Sequence, residues 1–309
     1  MKIAFLFAGQ GAQYLGMAHS LYESYSIVRK TFEEAELALG FDLTNIIFHD
    51  EEKLNETQYT QPAILTVNFA IQRLLNEQGI AADAALGLSL GEYSALIAAG
   101  VMDFPTAVQL VAKRGKFMSE AAPKGTGKMV AIMNTPAELI EDICQKASTK
   151  GIVTPANYNT PAQIVIGGEV AAVDYAVELL KEQGAKRTIE LNVSGPFHTA
   201  LLEPASQKLA AELEQIQLGE IQIPVVSNTT AQVFKADEIK DLLIQQVKSP
   251  VKFYESIETL KDLGCDTFIE IGPGKTLSGF MKKIDKTLST TRVEDMETLA
   301  QTLELLKGK

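Results

Sequence analysis

The chain has 309 residues, of which 46% are hydrophobic and 22% are charged, with 28 basic and 39 acidic side chains. This balance excludes extended disorder, and the length suits either one large domain with an insertion or two domains. The net charge of −11 argues against nucleic acid as a partner, because phosphate binding requires a dense basic surface.

The first part of the chain alternates strands and helices. Residues 2–8 form a short apolar run that predicts a buried strand, and helical patterns follow at 17–37 and 62–77. The N-terminal run is too short for a secretory signal, and no segment has the length of a membrane span. We therefore expect a cytoplasmic protein without a membrane partner.

A second strand at 84–86 is followed by predicted helices at 92–99 and 106–121, and the glycine-containing loop 123–127 ends this part. The pattern then changes to strand, helix, strand, strand, helix, strand, which is the order of the ferredoxin-like split unit. These six elements are predicted at 128–133, 137–147, 152–156, 163–167, 170–183 and 186–191.

The C-terminal part returns to alternating helices and strands. Strands are predicted at 223–227 and 267–271, and helices at 200–215, 238–247, 251–263, 276–283 and 296–306. The fold class is therefore α/β: a hydrolase-like core with a mainly parallel sheet, plus an inserted ferredoxin-like (βαββαβ) small domain. We expect residues 1–124 and 196–309 to form the large catalytic domain and residues 125–195 to form the insert.

Ser89 lies between two glycines, Gly87 and Gly91, after an apolar strand and before a helix. This is the pattern of a nucleophile elbow, in which the glycines leave room for a tight turn and the serine hydroxyl stands at its tip. The adjoining helix N-terminus favours negative charge. The same pattern also fits an ordinary strand–turn–helix connection.

Two phosphate-binding patterns are incomplete. Gly9 and Gly11 follow a strand, but Tyr14 occupies the third glycine position of a dinucleotide fingerprint. The segment 274–276 ends like a P-loop, yet Ile269 stands where its first glycine is required. No HExxH motif or clustered set of metal ligands is present, so neither a metal nor a cofactor is expected.

An activated serine needs a base, and histidine titrates closest to neutral pH. His19 lies in a helical stretch and His49 in an acidic run, where capping or solvent-facing roles are expected. His198 instead follows a glycine-proline loop directly before a helix, which is where functional residues lie in α/β folds. His198 is therefore the candidate base.

Seven segments, in this order along nearly the whole chain, resemble the free-standing bacterial malonyl-CoA:acyl carrier protein transacylase family. They are FAGQGAQ at 7–13, TQPA at 60–63, GEYSAL at 91–96, RGKFM at 114–118, NYN at 157–159, GPFH at 195–198 and IGPG at 271–274.

The resemblance implies a reaction through a serine ester. Ser89 is expected to take a malonyl group from malonyl-CoA and pass it to the phosphopantetheine thiol of acyl carrier protein, with His198 as general base. The backbone N–H groups of Gln10 and Leu90 are expected to bind the oxyanion. The backbone carbonyl of Gln246 is expected to orient the histidine, so a Ser-His dyad without a carboxylate is implied.

The resemblance also gives Arg114 a role in substrate choice. By itself, an arginine on the polar side of a helix is usually solvated, but the family match implies that its guanidinium grips the malonyl carboxylate. Gln61 resembles the family's second residue near that carboxylate. Phe197 resembles the malonyl-type version of its loop and is expected either to crowd an α-methyl branch or to pack in the core.

One position departs from the family, since Leu88 stands before the serine where histidine is common; the consequence is left open.

Because carrier proteins are acidic, a local basic patch is also expected on this acidic chain. Its candidate residues are Lys116, Lys124, Lys186, Arg187 and Lys275.

Two other classes of function remain open. A serine esterase or hydrolase of the α/β type needs a triad acid, for which Asp174 is a candidate, although it lies in a helical stretch. A catalytically silent scaffold for a carrier protein does not need the intact set of Ser89, His198 and Gln10.

Overall fold

The computed structural model describes residues 1–308. Its strands are β1 (Ile3–Phe7), β2 (Ala84–Gly87), β3 (Gly127–Met133), β4 (Val153–Thr160), β5 (Gln163–Glu169), β6 (Arg187–Glu190), β7 (Thr267–Ile271) and β8 (Ser289–Val293). Its helices are α1 (His19–Ser24), α2 (Ser26–Leu39), α3 (Leu43–His49), α4 (Glu51–Leu54), α5 (Thr57–Glu77), α6 (Gly91–Ala98), α7 (Phe104–Ala121), α8 (Ala137–Ala147), α9 (Val170–Glu182), α10 (Glu203–Glu214), α11 (Ile239–Gln246), α12 (Phe253–Asp262), α13 (Thr276–Ile284) and α14 (Met296–Lys307). Among these helices, none is both long and apolar enough to cross a bilayer.

The first sheet is parallel and has the order β2-β1-β7-β8. Phe7 at the end of β1 is paired with Gly87 on one side and with Ile271 on the other. The three strands therefore end at the same level, and the loops that follow them meet at one edge of the sheet. In open α/β sheets this carboxyl edge is where ligands bind.

Apolar side chains cover both faces of this sheet. Phe5 and Phe7 of β1 belong to the large core that includes α2, α5 and α7, whereas Ala4 and Leu6 pack on the opposite face against α12 and α13. Burial of a strand on both faces favours apolar residues at every position, which explains the uninterrupted hydrophobic run from Ile3 to Phe7.

The second sheet is antiparallel, with the order β4-β5-β3-β6. Val130 and Ile132 of β3 pack against α8 and α9, while the alternating residues Met129 and Ala131 join the large core. Because successive side chains of a strand point to opposite faces, this sheet is packed on both sides. The chain is thus mixed α/β with one parallel and one antiparallel sheet.

Most elements predicted from the sequence are confirmed, with differences where local signals compete. The single helix predicted at 17–37 is two helices, since Tyr25 between α1 and α2 is extended. The helix predicted to start at 62 starts at Thr57 and contains Pro62 in its second turn. Only the first four N–H groups of a helix lack a partner within it, so Pro62, the sixth residue of α5, removes one i→i−4 hydrogen bond.

Other differences concern short or polar segments. The strand predicted at 223–227 forms only isolated bridges, Ala85 to Val225 and Val226 to Val233. The edge strand β8 was not predicted, because its sequence STTRV is polar and one of its five residues is buried. The helices α3 and α4 were not predicted either; each is one or two turns long and begins at an aspartate cap, Asp42 or Asp50.

Gly87 is sterically required at the end of β2, since a Cβ there would lie 1.8 Å from the carbonyl carbon of Gly91. We expect Gly87→Ala to lower the free energy of unfolding by about 3 kcal/mol or more, because backbone atoms must move apart. Urea denaturation measures this change. The matched control is Gly279→Ala within α13, where no atom lies within 4 Å of the added Cβ. This control should be neutral or stabilising by up to about 1 kcal/mol; equal losses for both variants would contradict the steric argument.

Candidate active site

Ser89 occupies the tight turn between β2 and α6 and has a left-handed backbone, with φ of 54°. Such a φ is unusual for a residue with a side chain and occurs at strained functional positions. The turn is compact because Gly91 lies against Phe7, where a Cβ would come within 2.2 Å of the carbonyl oxygen. The elbow predicted from the sequence is therefore present, with its serine at the carboxyl edge of the parallel sheet.

The hydroxyl of Ser89 contacts the imidazole of His198, with 2.7 Å between Oγ and Nε2. The other ring nitrogen, Nδ1, lies 2.7 Å from the backbone carbonyl oxygen of Gln246. Since a carbonyl oxygen only accepts, Nδ1 carries the proton and Nε2 is free to accept the serine proton. The geometry is that of a nucleophile paired with a base that a neutral group orients.

His198 is buried, 4% exposed, and like Ser89 it has a left-handed backbone, with φ of 59°. Burial, with a smaller effect of the Arg114 charge, lowers the pKa of its imidazole to about 4, while the Gln246 carbonyl opposes the shift. The imidazole is therefore neutral, and able to accept a proton, throughout the neutral pH range.

Arg114 projects from α7 into the protein and is 1% exposed. Its Nη1 donates to Oε1 of Gln61 at 2.8 Å, and its Nη2 donates to Oε1 of Gln246 at 2.8 Å. Nη2 also lies 3.3 Å from Ser89 Oγ. Burial lowers the pKa of this guanidinium, although arginine still keeps its proton in proteins. A buried cation held by two neutral amides thus lies next to the nucleophile.

Gln61 extends this network towards the first loop, because its Nε2 lies 3.4 Å from Oε1 of Gln10. The loop that carries Gln10 is pressed against the elbow, and a Cβ on Gly9 would come within 2.2 Å of the Leu88 carbonyl oxygen. Within residues 1–308, the backbone N–H groups of Gln10 and Leu90 have no hydrogen-bond acceptor. Both are therefore available to a ligand beside Ser89.

A cavity of about 470 Å³ opens onto the dyad, and its lining includes Gln10, Ser89, Phe197 and His198. Phe197 is 7% exposed, so its ring packs in the core as well as facing this space. Leu88 lies on the same wall. Every site residue predicted from the sequence is thus brought to one place, in or directly behind the wall of this cavity.

The structure also identifies Asn228, which the sequence reasoning missed. Its Oδ1 accepts from the backbone N–H of Ser89 at 2.7 Å, and its Nδ2 donates to the carbonyl of Gly87 at 2.6 Å. Asn228 therefore holds the elbow by hydrogen bonds to Gly87 and Ser89, the residues on either side of Leu88. The signal in the sequence was weak, since asparagine after a predicted strand most often marks a turn.

Glu92 was also missed as a functional candidate, although a charged residue opening an otherwise apolar helix is a usable signal. It is fully buried, and its two oxygens accept from the backbone N–H of Asn228 at 2.6 Å and from Nε2 of Gln246 at 3.2 Å. Burial raises the pKa of its carboxyl to about 8, against the effect of these donors and of Arg114.

Asp174 does not lie beside the dyad. It is on α9 with a half-exposed side chain, paired with Lys128 at 2.5 Å. The alternative in which Asp174 completes a catalytic triad is therefore wrong, because the Nδ1 of His198 is already engaged by the Gln246 carbonyl. Across the described residues 1–308, no group of three or more His, Cys, Asp or Glu side chains is arranged to hold a metal ion.

The low pKa of His198 gives a pH dependence for the reactivity of Ser89. We expect the rate of labelling by a fluorophosphonate to stay level from about pH 8 to about 5 and to fall about tenfold per unit below about pH 4, where the base becomes protonated. Intact mass spectrometry measures the rate, and circular dichroism at each pH checks that the protein is folded. A midpoint near 6.5, the ordinary value for histidine, would contradict the assignment.

Comparisons with known proteins agree with this geometry. The family model described as acyl transferase domain matches residues 4–302. The malonyl CoA-acyl carrier protein transacylase of Bacillus subtilis is 48% identical, over 99% of this chain and 98% of that protein. The enzyme of the same name from Escherichia coli is 44% identical, over 98% of this chain and 99% of that protein.

Solved structures give the same result. A crystal structure of MCAT from Streptococcus pneumoniae has a TM-score of 0.97 and 61% identity, covering 98% of this chain and 99% of that chain. A malonyl-transacylase in complex with its holo type II PKS acyl-carrier protein has a TM-score of 0.95 and 43% identity, with 98% and 99% coverage. The chain therefore belongs to the malonyl CoA-acyl carrier protein transacylase family.

Proposed function

We propose that this chain transfers a malonyl group from malonyl-CoA to the phosphopantetheine thiol of acyl carrier protein, through an ester on Ser89. The names of its relatives supply the substrates, and one neighbouring structure holds an acyl-carrier protein. The observation that carries the proposal is the buried guanidinium of Arg114, whose Nη2 lies 3.3 Å from the nucleophilic oxygen. A cation at this position fits an acyl group that ends in a carboxylate.

The first half-reaction forms the ester. Ser89 Oγ attacks the thioester carbonyl and gives its proton to His198 Nε2, which is 2.7 Å away. The carbonyl oxygen becomes an oxyanion that accepts from the backbone N–H groups of Gln10 and Leu90, each donor contributing about 3 kcal/mol. The carbon–sulfur bond then breaks, and the CoA thiolate takes the proton from His198.

The second half-reaction reverses these steps with another thiol. The phosphopantetheine thiol gives its proton to His198, and its sulfur attacks the ester carbonyl. The carbon–oxygen bond breaks and Ser89 recovers the proton. No metal or cofactor takes part in these steps.

The substrate preference follows from charge and shape. We propose that one carboxylate bridges Nη1 and Nη2 of Arg114 through two parallel charge-assisted bonds, while Gln61 accepts a further hydrogen bond from Nη1 at 2.8 Å. The ring of Phe197 faces the cavity beside His198, and we propose that it crowds a methyl branch on the acyl group.

The arrangement of the two sheets supports the domain assignment that we propose. The order β3-α8-β4-β5-α9-β6, with β3 and β5 as central strands, is that of a ferredoxin-like unit inserted at residues 125–195. Residues 1–124 and 196–309 would then form the hydrolase-like catalytic domain, since a strand, the elbow serine and a helix follow one another at the sheet edge.

Recognition of an acidic carrier protein is proposed to use a basic patch. Its candidate residues, Lys116, Lys124, Lys186, Arg187 and Lys275, are all exposed. Location in the cytoplasm stays a prediction from the sequence.

The ester can be tested directly. Mixing the protein with malonyl-CoA should add the mass of one malonyl group, and peptide mapping should assign it to Ser89, because this hydroxyl alone is paired with the base His198. Ser89→Ala should show no added mass. His198→Ala should form the ester about 10² to 10⁴ times more slowly. An unchanged mass of the unmodified protein would exclude the proposed reaction.

Arg114→Ala should reduce the preference for malonyl-CoA over acetyl-CoA by about 150-fold, or about 3 kcal/mol, because a bidentate ion pair is lost. The ratio of kcat/KM for the two thioesters measures this preference. Lys113→Ala is the matched control, since Lys113 is half-exposed and pairs with Glu212 on the surface. A similar loss in both variants, or none in Arg114→Ala, would remove Arg114 from substrate recognition.

A further inference from the structure

Glu92 is a buried carboxylate that the proposed chemical steps do not use. It is 0% exposed, in the first turn of α6, three residues after Ser89. Both of its hydrogen-bond partners are donors: the backbone N–H of Asn228 at 2.6 Å and the side-chain Nε2 of Gln246 at 3.2 Å. Both carboxyl oxygens therefore act as acceptors; burial raises the pKa of this carboxyl to about 8, but a protonated carboxyl keeps a lone pair on each oxygen that can still accept.

The side-chain amide of Gln246 links Glu92 to the site. On one side its Nε2 donates to Glu92 and, at 2.9 Å, to the backbone carbonyl of Ser89. On the other side its Oε1 accepts from Arg114 Nη2 at 2.8 Å. An amide has one donor end and one acceptor end, so its orientation decides whether Arg114 faces an oxygen or an NH₂ group.

We propose that Glu92 is a positioning residue, which fixes the orientation of the Gln246 amide and thereby holds the guanidinium of Arg114 for the carboxylate of the acyl group. The inference rests on the proposed function, because it assigns Glu92 to substrate choice at the same site. Two amide oxygens, of Gln61 and of Gln246, set the guanidinium, each at 2.8 Å. Without the second oxygen, Nη2 keeps only its longer contact of 3.3 Å with Ser89 Oγ.

The position requires an acceptor at both oxygens, which a glutamine cannot provide. In Glu92→Gln, the amide oxygen must face the Asn228 backbone N–H, since a backbone donor cannot rotate, and its NH₂ then faces the NH₂ of Gln246. If the side-chain amide of Gln246 rotates by half a turn to avoid this contact between two NH₂ groups, its own NH₂ faces Arg114 and its oxygen faces the Ser89 carbonyl. Each arrangement makes two donors or two acceptors face each other in a buried site, which costs free energy because neither group finds a hydrogen-bond partner.

The experiment measures transfer from malonyl-CoA and from acetyl-CoA to holo acyl carrier protein by Glu92→Gln. We expect the KM for malonyl-CoA to rise about tenfold or more, whereas kcat/KM for acetyl-CoA changes by less than about threefold, because acetyl does not use Arg114. Fluorophosphonate labelling of Ser89 should likewise stay within about threefold of the unmodified protein. An equal fall for both thioesters, or an unchanged preference, would overturn the proposal.

Glu36→Gln is the matched control. Glu36 is a half-buried glutamate of α2 that does not line the cavity, and it also accepts from a backbone N–H group, that of Thr44 at 2.8 Å. The same chemical change there should lower the free energy of unfolding but leave the ratio of malonyl to acetyl transfer as it was. A similar change of ratio in this control would show that Glu92 acts only through general stability.

A second variant keeps the proposal testable if Glu92→Gln does not fold. Gln246→Met removes the amide while keeping Glu92 and the backbone carbonyl that binds His198. It should lower the malonyl preference about as much as Glu92→Gln, and the two substitutions together should lower it no further, since they act through one contact. A normal preference in Gln246→Met would overturn the inference. Absence of malonyl transfer by the unmodified protein would instead overturn the proposed function.

Discussion

The hydrogen bond between Ser89 Oγ and His198 Nε2 is the contact on which the site depends. The two residues are separated by the whole antiparallel sheet in sequence, yet their atoms lie 2.7 Å apart. The parallel sheet supplies the serine at the end of β2, and the return of the chain after β6 supplies the histidine, whose backbone N–H is bound to Val247. The register of β1, β2 and β7 therefore determines where the reaction can take place.

A buried polar network surrounds this contact, and it is satisfied mainly by amides. Gln61 and Gln246 hold the guanidinium, Asn228 holds the elbow, and Glu92 joins Asn228 to Gln246. Burying the charged guanidinium of Arg114 away from solvent costs free energy. The function that we propose explains the network, because it holds a buried cation in place for a substrate that carries the opposite charge.

The sequence predicted the dyad because its two residues have local signals: glycines around Ser89 and a glycine-proline loop before His198. The strand β1 was predicted because burial on both faces leaves a continuous apolar run, and β7 because three of its five residues are Phe or Ile, which favour strands. Asn228, Glu92 and β8 were missed for the opposite reason, since their roles come from contacts between distant segments. Arg114 is intermediate: its place on the polar side of a helix favours a solvated position, only the family resemblance predicted a place at the substrate, and its burial was not predicted.

The burial of His198 has a consequence for which acceptor can complete the reaction that we propose. Burial, together with the charge of Arg114, lowers the pKa of the imidazole to about 4, and the neutral carbonyl of Gln246 opposes this shift only in part, so the ring is a weak base. Such a base removes a proton far more readily from a thiol, with a pKa of about 8.5, than from water, at about 15.7. In the reaction that we propose, transfer of the acyl group to a thiol is thus favoured over its hydrolysis by water, whereas the hydroxyl of Ser89, as poor an acid as water, depends on being held 2.7 Å from the imidazole.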